Sequence, residues 1–369
     1  PVKDTPLVRL AFRAGLAALD RDLGAPVHRE SVAAPTGPEA LLVYHRPAGA
    51  VKDLCLRLEE QAPVGRLYDL DVLSPGGEKL SRPQSRRCLI CGGPVTVCSR
   101  SRAHGLAAIQ AKTEDILRSF AAGHLAQLAR QALEDEVCLT PKPGLVDRRN
   151  TGAHDDMDLP LFRRSAAALE PYFCRFVSLG MAGASPAELQ ALGREAEHAM
   201  LTATGGVNTH KGALYSFALL LSALGRSLTE GGDPFHTAAA IADALPPASG
   251  THGSAVRDQC GGVRQEAISG FPTARHMREL LSRSGALAAL TWSMSRLDDS
   301  TLVYRGGPEG LRYVQQAASA LLTLPENALV PALEALDDDL IARHLSPGGS
   351  ADLLSLALFL DAAAPETWL

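Results

Sequence analysis

The sequence predicts a multidomain protein in which an α+β domain is followed by an all-α domain. Strand-like apolar runs occur in the first part of the chain, at residues 40–45 and 66–73. From about residue 107 onward, blocks rich in Ala and Leu keep a helical period, and Gly/Pro loops separate them. We therefore divide the chain into residues 1–112 and residues 113–369.

Length and composition are those of an ordinary soluble protein with room for two or three domains. The chain has 369 residues, of which 46% are hydrophobic and 21% charged, and its formal net charge is −5. The negative charge argues against nucleic acid as a partner, and no apolar run is long enough to cross a membrane. An odd number of cysteines, seven, does not suggest a secreted disulfide framework, so we expect a cytoplasmic protein. Because the chain opens at Pro1 rather than Met, we expect its natural start to be absent.

In the first part, the run 65–73 (GRLYDLDVL) reads as a strand that carries Asp69 and Asp71. Residues two apart on a strand point to the same face, so both carboxylates would emerge together. Such a pair suits Mg²⁺, which completes its octahedron with water and substrate phosphates, as in enzymes that transfer nucleotidyl groups. A half-solvated edge strand with outward polar residues would give the same pattern.

A cysteine and histidine cluster follows, in the spacing Cys88-x2-Cys91-x6-Cys98-x5-His104. These three cysteines and one histidine could form a zinc site with a Gly-Gly-Pro knuckle, or they could be ordinary reduced thiols beside a histidine. Residues 82–104 also contain five arginines and no acidic residue. That basic segment could be a solvated face, or it could bind phosphates or an acidic protein partner.

Five short pieces of the first 112 residues occur together. They are Pro1-Val2-Lys3, residues 36–40, residues 65–72, Ser81-Arg82 and residues 87–104. In combination they resemble the apo-citrate lyase phosphoribosyl-dephospho-CoA transferase family. The resemblance implies a nucleotidyltransferase-like domain, truncated at its N-terminus because family members usually extend some tens of residues upstream. It also implies that a phosphoribosyl-dephospho-CoA group is moved onto a serine of the acyl carrier (gamma) subunit of apo-citrate lyase, with release of pyrophosphate.

The segment 139–158 (LTPKPGLVDRRNTGAHDDMD) is the densest run of charge among turn-forming residues. It follows a helical pattern at 116–137, which Thr140-Pro141 ends because the residue before a proline avoids the α region. A rigid helix that presents phosphate-binding groups and carboxylates on one loop indicates an active site.

Two glycine-rich helix starts lie further along the chain. Residues 203–213 (ATGGVNTHKGA) precede a long apolar helix, and residues 346–352 (SPGGSAD) precede another. Backbone N–H groups at a helix N-terminus, with a lysine beside them, can hold a phosphate. A simple capped helix start, with Thr209 as the cap, would show the same residues.

Further pieces complete a second resemblance, which runs from about residue 124 to residue 360. They are Ala196-Glu197 with Met200, Thr251-His252-Gly253, Arg264 with Glu266-Ala267, Gly270-Phe271-Pro272 and residues 346–354, together with 141–158 and 205–212. This set closely resembles the triphosphoribosyl-dephospho-CoA synthase family. The resemblance implies an all-α fold and the reaction of ATP with 3′-dephospho-CoA, which forms 2′-(5″-triphosphoribosyl)-3′-dephospho-CoA and releases adenine. Residues 298–301 read Asp-Asp-Ser-Thr where the family has Asp-Thr-Asn, which leaves Asp298 as the better candidate there.

That reaction calls for three kinds of residue. The family's product has an α linkage where ATP has a β one, and such inversion fits a single displacement assisted by a base. The candidates for catalysis are Asp147, His154, Asp156, His210 and Glu266. The candidates for binding the triphosphate and the cofactor-like substrates are Lys142, Gly205, Gly206, Asn208, Lys211, His252, Arg264, Gly348, Gly349 and Ser350. The candidates for Mg²⁺ are Asp69, Asp71, Asp155, Asp158, Asp298 and Asp352, and those for Zn²⁺ are Cys88, Cys91, Cys98 and His104.

The sequence therefore predicts a bifunctional enzyme that makes the citrate lyase prosthetic group and attaches it. Several alternatives stay open at this point. The first half could be only a docking module for the carrier subunit, or the synthase could serve a malonate decarboxylase system. The chain could also be a zinc-ribbon adaptor fused to a helical scaffold, or catalyse a different ATP-dependent ribosyl or nucleotidyl transfer.

Overall fold

The computed structural model describes residues 4–34, 36–61, 63–246 and 262–363. It divides into two compact units, Pro1–Gly123 and His124–Leu369. The dividing point falls inside one helix, Leu106–Cys138, which also contains the sequence-based division after residue 112. In the part of the chain that is described, no helix is both long and apolar enough to cross a bilayer.

The first unit contains helices and one small sheet. Its elements are α1 (Pro6–Leu23), β1 (His28–Ala34), β2 (Gly37–Val43), α2 (Ala48–Gln61), a 3-10 helix (Pro63–Leu67), α3 (Val95–Ser101) and the first part of α4 (Leu106–Cys138). The strands pair antiparallel as a hairpin, with His28 opposite Val43 and Ala34 opposite Gly37. A small apolar core joins α1, α2 and the chain after the 3-10 helix through Leu19, Leu23, Leu54, Cys55 and Val72.

The prediction of a strand at 65–73 is wrong. The 3-10 helix covers the start of this run, and the residues that follow it are irregular. The backbone at Gly65 packs so closely on α2 that a Cβ there would lie 2.0 Å from the Leu58 carbonyl oxygen. The Leu70 N–H then donates to the Glu59 carboxylate at 2.9 Å. Because the backbone is bonded to a side chain of α2, this run does not join the sheet.

The second unit is entirely helical among its described residues. After α4 it contains α5 (Leu159–Met181), α6 (Pro186–Ala203), α7 (Lys211–Glu230), α8 (Pro234–Ala244), α9 (Gly262–Ile268), α10 (Pro272–Met294), α11 (Ser300–Leu321), α12 (Glu326–Ala342) and α13 (Gly348–Ala362). The expected helical second half is therefore confirmed for these residues. The nucleotidyltransferase-like arrangement of the first half stays a prediction.

Helix α7 lies at the centre of this unit and fixes the position of the candidate site. It approaches α5 so closely that a Cβ at Gly180 would lie 2.0 Å from the Ser222 carbonyl oxygen, and one at Gly225 would lie 2.2 Å from that of Val177. On another side, the Phe217 ring packs edge-on against the Phe359 ring of α13, with their centroids 5.5 Å apart. Backbone contact on one side and aromatic packing on the other fix α7 against α5 and α13.

Candidate active site

The charged loop 139–158 is organised by Asp147, which is buried. One carboxylate oxygen accepts the Lys142 N–H at 2.9 Å. The other oxygen accepts the Arg149 N–H at 2.6 Å and the Asn150 N–H at 3.1 Å. These bonds occupy the carboxylate with the shape of its own loop, which favours a structural role for Asp147 over catalysis or metal binding.

A second buried carboxylate, Asp337 on α12, holds the same loop from outside. It accepts the Gly144 N–H at 2.9 Å, the Arg149 guanidinium at 2.6 Å and the Asn150 side-chain amide at 2.7 Å. Asp337 was not among the predicted site residues, because its place in the run Asp337–Asp339 is typical of a solvated helix face. Only the tertiary fold turns one member of that run inward.

We expect Asp337→Asn to lower the free energy of unfolding by about 2 to 4 kcal/mol, because it leaves buried donors of the loop without an anionic partner. The activity that this loop supports should fall with it, since the loop loses its anchor. Chemical denaturation followed by circular dichroism measures the first effect. Asp338→Asn is the matched control, because its side chain is 66% exposed and contacts only the outer edge of Arg149. Equal effects from both variants would contradict the anchoring role.

His154 links the charged loop to the segment that precedes α13. Its Nδ1 lies 2.9 Å from the Arg305 guanidinium and its Nε2 lies 2.9 Å from the Ser346 hydroxyl. A guanidinium can only donate, so Nδ1 accepts and the proton resides on Nε2, which donates to Ser346. Burial and the charge of Arg305 lower the pKa of His154 to about 4. His154 is therefore a neutral link with both ring nitrogens in use, and this disfavours its predicted part in proton transfer.

The three remaining aspartates of the loop lie nearer the surface. Asp155 and Asp156 are exposed, and an Asp156 oxygen is 4.0 Å from His154 Nδ1. Asp158 caps α5 by accepting the Leu161 N–H at 2.8 Å. The adjacent pair is thus better placed than Asp158 to contact a bound ion.

The glycine-rich turn before α7 adopts a backbone that only its glycines tolerate well. Gly205 and Gly206 have φ angles of 67° and 93°, in the left-handed region. Asn208 then accepts the Lys211 N–H at 3.2 Å, so Asn208 caps the helix, while the expected cap Thr209 donates instead to Ser165 at 2.7 Å. The turn therefore leads directly into the first residues of α7.

Lys211 at the start of α7 is ion-paired with Glu197 on α6. The two side chains are 36% and 32% exposed, so the pair lies at the rim of the site and solvent reaches it. An ion pair of this kind contributes little to the free energy of folding, so a phosphate group can replace Glu197 as the partner of Lys211. Lys211 therefore remains available as a phosphate ligand.

His210 lies directly beneath that rim and is buried. Its Nδ1 is 2.7 Å from the Ser165 hydroxyl, and its ring packs edge-on against Phe162. Its Nε2 is buried and has no protein partner. Burial and the nearby charge of Lys142 lower the pKa of His210 to about 3. The imidazole is neutral at physiological pH.

Because His210 is buried in its neutral form, we expect the protein to lose folding free energy as the pH falls. Its folded pKa is below the unfolded value of about 6.5, so the unfolded chain takes up protons first as the pH falls. We expect this effect to remove about 2 kcal/mol of folding free energy between pH 7 and pH 5. Buried carboxyls with raised pKa values act in the opposite direction. The test therefore compares the pH dependence of the unfolding free energy in the wild type and in a variant. The denaturation free energy of His210→Asn, measured at both pH values, should show a loss smaller than that of the wild type by this amount. Parallel pH dependences would contradict the neutral state of His210.

The starts of α7 and α13 meet at Asp352. A Cβ on Gly212 would lie 2.0 Å from the Asp352 Oδ2 atom, so the glycine makes room for the carboxylate. Burial raises the pKa of Asp352 well above its ordinary value, and the charges of Glu136 and Asp299 raise it further. The fold thus favours the protonated form of Asp352.

Asp299 fastens the start of α13 to the start of α11. It accepts the Thr301 N–H at 2.9 Å and the Ser350 N–H at 3.0 Å. Burial raises the pKa of Asp299 to about 6. The sequence analysis preferred Asp298, whereas Asp299 is the residue that contacts the helix start carrying Gly349 and Ser350.

Glu136 and Lys142 form a buried ion pair next to these helix starts. Burial raises the pKa of Glu136. Lys142 was predicted to bind triphosphate, but its ammonium group is already neutralised by Glu136 and 2% exposed. Glu136 was not predicted, although a glutamate between the apolar residues Leu133 and Val137 on the inner face of α4 is a signal that could have found it.

The other predicted residues of this unit lie elsewhere. Arg264 donates to the Ala242 carbonyl at 2.7 Å and so caps the end of α8. Glu266 accepts the Thr273 N–H at 2.7 Å and the Thr273 hydroxyl at 3.0 Å, which caps the start of α10. Asp298 is exposed and lines a cavity of about 200 Å³ together with Glu266. His252 lies outside the described residues.

In the first unit, the arginine segment is partly neutralised by Glu59, which sequence reasoning also missed. This buried carboxylate pairs with Arg82 and Arg86. Asp69 is 85% exposed and lies 3.2 Å from Arg86, and Asp71 is paired with Lys79 at 2.6 Å. A second group of arginines remains on the surface, namely Arg87, Arg100 and Arg102.

The predicted cysteine cluster is brought together. The ligand atoms of Cys88, Cys91, Cys98 and His104 all lie within 4.8 Å of one another. Among the described residues this is the one group of three or more such side chains close enough to share a metal ion. Hydrogen bonds from the Cys91 and Ile90 N–H groups lower the pKa of the Cys88 thiol to about 6.

Comparison with known proteins identifies both halves. Residues 122–368 match the family described as CitG: ATP:dephospho-CoA triphosphoribosyl transferase. The chain belongs to this family. Residues 1–120 match CitX: Apo-citrate lyase phosphoribosyl-dephospho-CoA transferase. The predicted fusion of two transferases of citrate lyase prosthetic-group biosynthesis is therefore confirmed.

Individual relatives agree with this division. Protein CitXG of Haemophilus influenzae is 37% identical in an alignment 368 positions long, which covers 88% of this chain and 79% of the relative. The 2-(5''-triphosphoribosyl)-3'-dephosphocoenzyme-A synthase of Haemophilus ducreyi is 35% identical and covers 73% of this chain and 98% of its own. A synthase of the same name from Klebsiella pneumoniae is 40% identical over 67% of this chain and 93% of its own. A relative named CitXG and relatives named as synthases thus both resemble this CitG-family chain.

Proposed function

We propose that the second unit joins ATP to 3′-dephospho-CoA at the starts of α7 and α13. The 2′-hydroxyl of dephospho-CoA attacks C1 of the ATP ribose, the bond from C1 to adenine breaks, and the hydroxyl proton passes to the protein. Adenine leaves as the neutral base, so that over the whole reaction one proton moves from the hydroxyl to adenine, and the triphosphate stays on the product. The observation that carries this proposal is the meeting of two glycine-rich helix starts at Asp352, next to the buried pair of Glu136 and Lys142.

The two helix starts supply the binding site for the triphosphate. Neither residue that precedes these helices, His210 or Pro347, caps its helix with a side chain. Side chains from outside each helix accept some of its first N–H groups, namely Asn208 and Asp352 at α7 and Asp299 at α13. The positive end of each helix dipole favours a phosphate group beside them. Lys211 adds a cation at the rim, and the backbone of Gly205 and Gly206 allows close approach. We assign the triphosphate to this place and give Lys142 the role of neutralising Glu136 beneath it.

Mg²⁺ fits this site as an ion that the phosphates help to hold. Among the described residues, no three carboxylates bring their oxygens together closely enough to form a cage. The exposed pair of Asp155 and Asp156 follows His154, which is bonded to Ser346 just before α13. One or two carboxylates with substrate phosphates and water are a common Mg²⁺ environment. We assign Asp155 and Asp156 to that ion, which when bound would offset the charge of the triphosphate.

Asp352 is the group we assign to the proton of the attacking hydroxyl. A raised pKa makes a carboxylate a stronger base, and Asp352 lies where both helix starts meet. A carboxylate there also stabilises the positive charge that develops on the ribose ring as adenine departs. The predicted candidates Asp147, His154 and Glu266 are each occupied by structural hydrogen bonds, which is a further reason to prefer Asp352.

Lys211→Met tests the synthase assignment directly. With MgATP and dephospho-CoA, the wild-type chain should release adenine and form a product with the mass of the triphosphoribosyl adduct. We expect Lys211→Met to lower the rate by about 10- to 100-fold, because a charge-assisted phosphate contact is lost. Lys112→Met is the matched control, since this exposed lysine pairs only with Asp115 one turn away. Equal rates for the two variants would remove Lys211 from the site, and no adenine from the wild type would refute the reaction.

For the first unit, we propose transfer of the phosphoribosyl-dephospho-CoA group to the acyl carrier subunit of apo-citrate lyase, with release of pyrophosphate. The exposed arginines Arg87, Arg100 and Arg102 form a basic surface that suits an acidic carrier protein. Asp69 and Asp71 are the carboxylates available for Mg²⁺ there, although each has a basic neighbour.

A docking role for the first unit is the second candidate, and one experiment separates the two. Apo-carrier protein is incubated with the full chain and purified triphosphoribosyl precursor, and the mass of the carrier is measured. A mass gain with pyrophosphate release supports transfer. Stable binding without a mass gain supports docking alone. Arg100→Glu and Arg102→Glu should weaken either interaction by adding repulsion, whereas Arg118→Glu on α4 is a control outside residues 82–104.

A further inference from the structure

We propose that Cys88, Cys91, Cys98 and His104 bind one Zn²⁺, and that this ion holds residues 86–104 of the first unit in their fold. Neither the family descriptions nor the relatives' names assign a metal to this segment.

The geometry of the four ligand atoms fits a tetrahedral zinc site. Zinc lies about 2.3 Å from a thiolate sulfur and about 2.1 Å from an imidazole nitrogen, so tetrahedral ligands lie roughly 3.6 to 3.8 Å apart. All four ligand atoms are within 4.8 Å of one another, and the Cys91 and Cys98 sulfurs are 3.5 Å apart. Small side-chain movements therefore close the group on an ion. Three sulfurs and one nitrogen favour zinc over Mg²⁺ or Ca²⁺, which prefer oxygen.

The backbone forms a knuckle around the first two cysteines. The Cys88 N–H donates to the Gly93 carbonyl at 2.7 Å, and the Gly92 N–H donates to the Cys88 carbonyl at 3.0 Å. Gly92 has a φ of 71°, which a glycine adopts without strain and which this turn requires. The Ile90 and Cys91 N–H groups donate to the Cys88 sulfur. Amide groups directed at a sulfur are the second-sphere contacts that orient a metal-bound thiolate.

The other two ligands come from α3 and from the turn that ends it. Cys98 lies in the helix, and Arg102 ends it with a φ of 50°, in the left-handed region. The Ala103 N–H then donates to the Cys98 carbonyl at 3.1 Å, which turns the chain back and brings His104 to the sulfurs. A non-glycine residue in that conformation carries a backbone strain that a bound ion at His104 would offset.

His104 supplies an independent observation. Its Nε2 is buried and makes no hydrogen bond to the protein. A buried imidazole nitrogen without a partner destabilises a fold, whereas a bond to zinc satisfies it. The Cys91 end of the cluster is exposed, so an ion can enter from solvent.

The segment also lacks another source of stability. Between Val72 and Ile116, no described apolar residue is buried, and α3 has no buried residue at all. A region of this length without an apolar core needs a cross-link or a metal to keep one fold. Zinc bound by these four ligands provides that cross-link and would fix the exposed arginines that flank them.

Metal analysis of the full chain tests the proposal. Protein purified without chelators should contain about one zinc per chain by elemental mass spectrometry, and Co²⁺ exchanged into it should give thiolate charge-transfer absorption with tetrahedral d–d bands. Cys98→Ser should lose at least about nine-tenths of the metal under the same conditions, since a three-ligand site binds much more weakly. Cys174→Ser is the matched control, because this thiol lies on α5 outside the cluster, and it should keep the metal.

A second measurement keeps the proposal testable if a variant misfolds. Removal of zinc from the wild type by a chelator should open residues 86–104 to trypsin at Arg100 and Arg102, and added Zn²⁺ should restore protection. His104→Cys should retain the metal in a site made of four thiolates. Wild type refolded with Zn²⁺ that contains none, or Cys98→Ser that keeps a full equivalent, would overturn the proposal. So would a Cys91–Cys98 disulfide as the native state of freshly purified protein. Because metal content is read without substrates, failure here is distinct from failure of either transfer activity.

Discussion

Asp352→Asn is expected to lower the rate of adenine release by a factor of about 10² to 10⁴, the range in which a general base contributes. The same change should leave the protein as stable as the wild type or more stable. The asparagine amide keeps the shape of the side chain and can still accept the Ala213 N–H. It also removes a buried charge that the neighbouring carboxylates of Glu136 and Asp299 disfavour.

A fall in activity without a fall in stability distinguishes a catalytic role of Asp352 from a structural one. Rates are measured with saturating MgATP and dephospho-CoA, and stability by chemical denaturation at the same pH. Asp361→Asn is the control, since it lies on the same helix and is exposed. A parallel loss of activity and stability would make Asp352 a structural residue, and a rate near that of the wild type would exclude it from the reaction.

Gly212→Ala should have the next largest effect. The added methyl group would lie 2.0 Å from the Asp352 Oδ2 atom, which is far inside van der Waals contact. The carboxylate or the helix start must then move, and a displacement of about 1 Å at a reacting group can cost roughly 100-fold in rate. Overpacking should also lower the free energy of unfolding by about 1 to 3 kcal/mol.

Gly193→Ala is the control for this substitution, because it lies in α6 and a Cβ there meets no atom within 4 Å. It should leave adenine release unchanged and stabilise the helix by up to about 1 kcal/mol. A double-mutant cycle sharpens the result. If Asp352 is the cause of the clash, Gly212→Ala should lose little stability in an Asp352→Ala background, and full additivity of the two changes would contradict the contact.

The helical half of the fold could be predicted because its signal is local. Apolar residues at helical spacing, with glycine and proline between the blocks, mark α6, α7 and α13 in the sequence itself. The glycine-rich turns were found for the same reason, since left-handed backbone at Gly205 and Gly206 needs glycine wherever the chain goes.

The strand predicted around Asp69 and Asp71 failed because its competing interactions are distant in sequence. Alternating polar and apolar residues fit a strand, but a bond from Leu70 to Glu59 and the packing of Gly65 on α2 hold the segment in another conformation. Tertiary contacts of this kind override local strand preference, and the pattern of residues 65–73 does not indicate them.

For the candidate site, the sequence was a good guide to the segments that form it. It was a poor guide to the role of each side chain. Charge density marked the loop 139–158, yet it could not show that Lys142 is neutralised by Glu136 or that Asp337 reaches the loop from α12. Those partners are separated by less than two helix turns of sequence in the first case and by nearly two hundred residues in the second. From sequence alone, a carboxylate on a helix face is interpreted as exposed to solvent, and only the tertiary structure identifies its buried partners.

The fixed tautomer of His154 has a consequence for what can bind before α13. Arg305 cannot accept a hydrogen bond, so it sets the direction of the whole chain from Arg305 through His154 to Ser346. The Ser346 oxygen receives the last of these protons, which leaves its own hydroxyl hydrogen to point onward. All hydrogen bonds in this chain therefore run in one direction, and the chain ends in the Ser346 hydroxyl as a donor. Because the Ser346 hydroxyl keeps a hydrogen to donate, this end of the helix favours an anion over a cation.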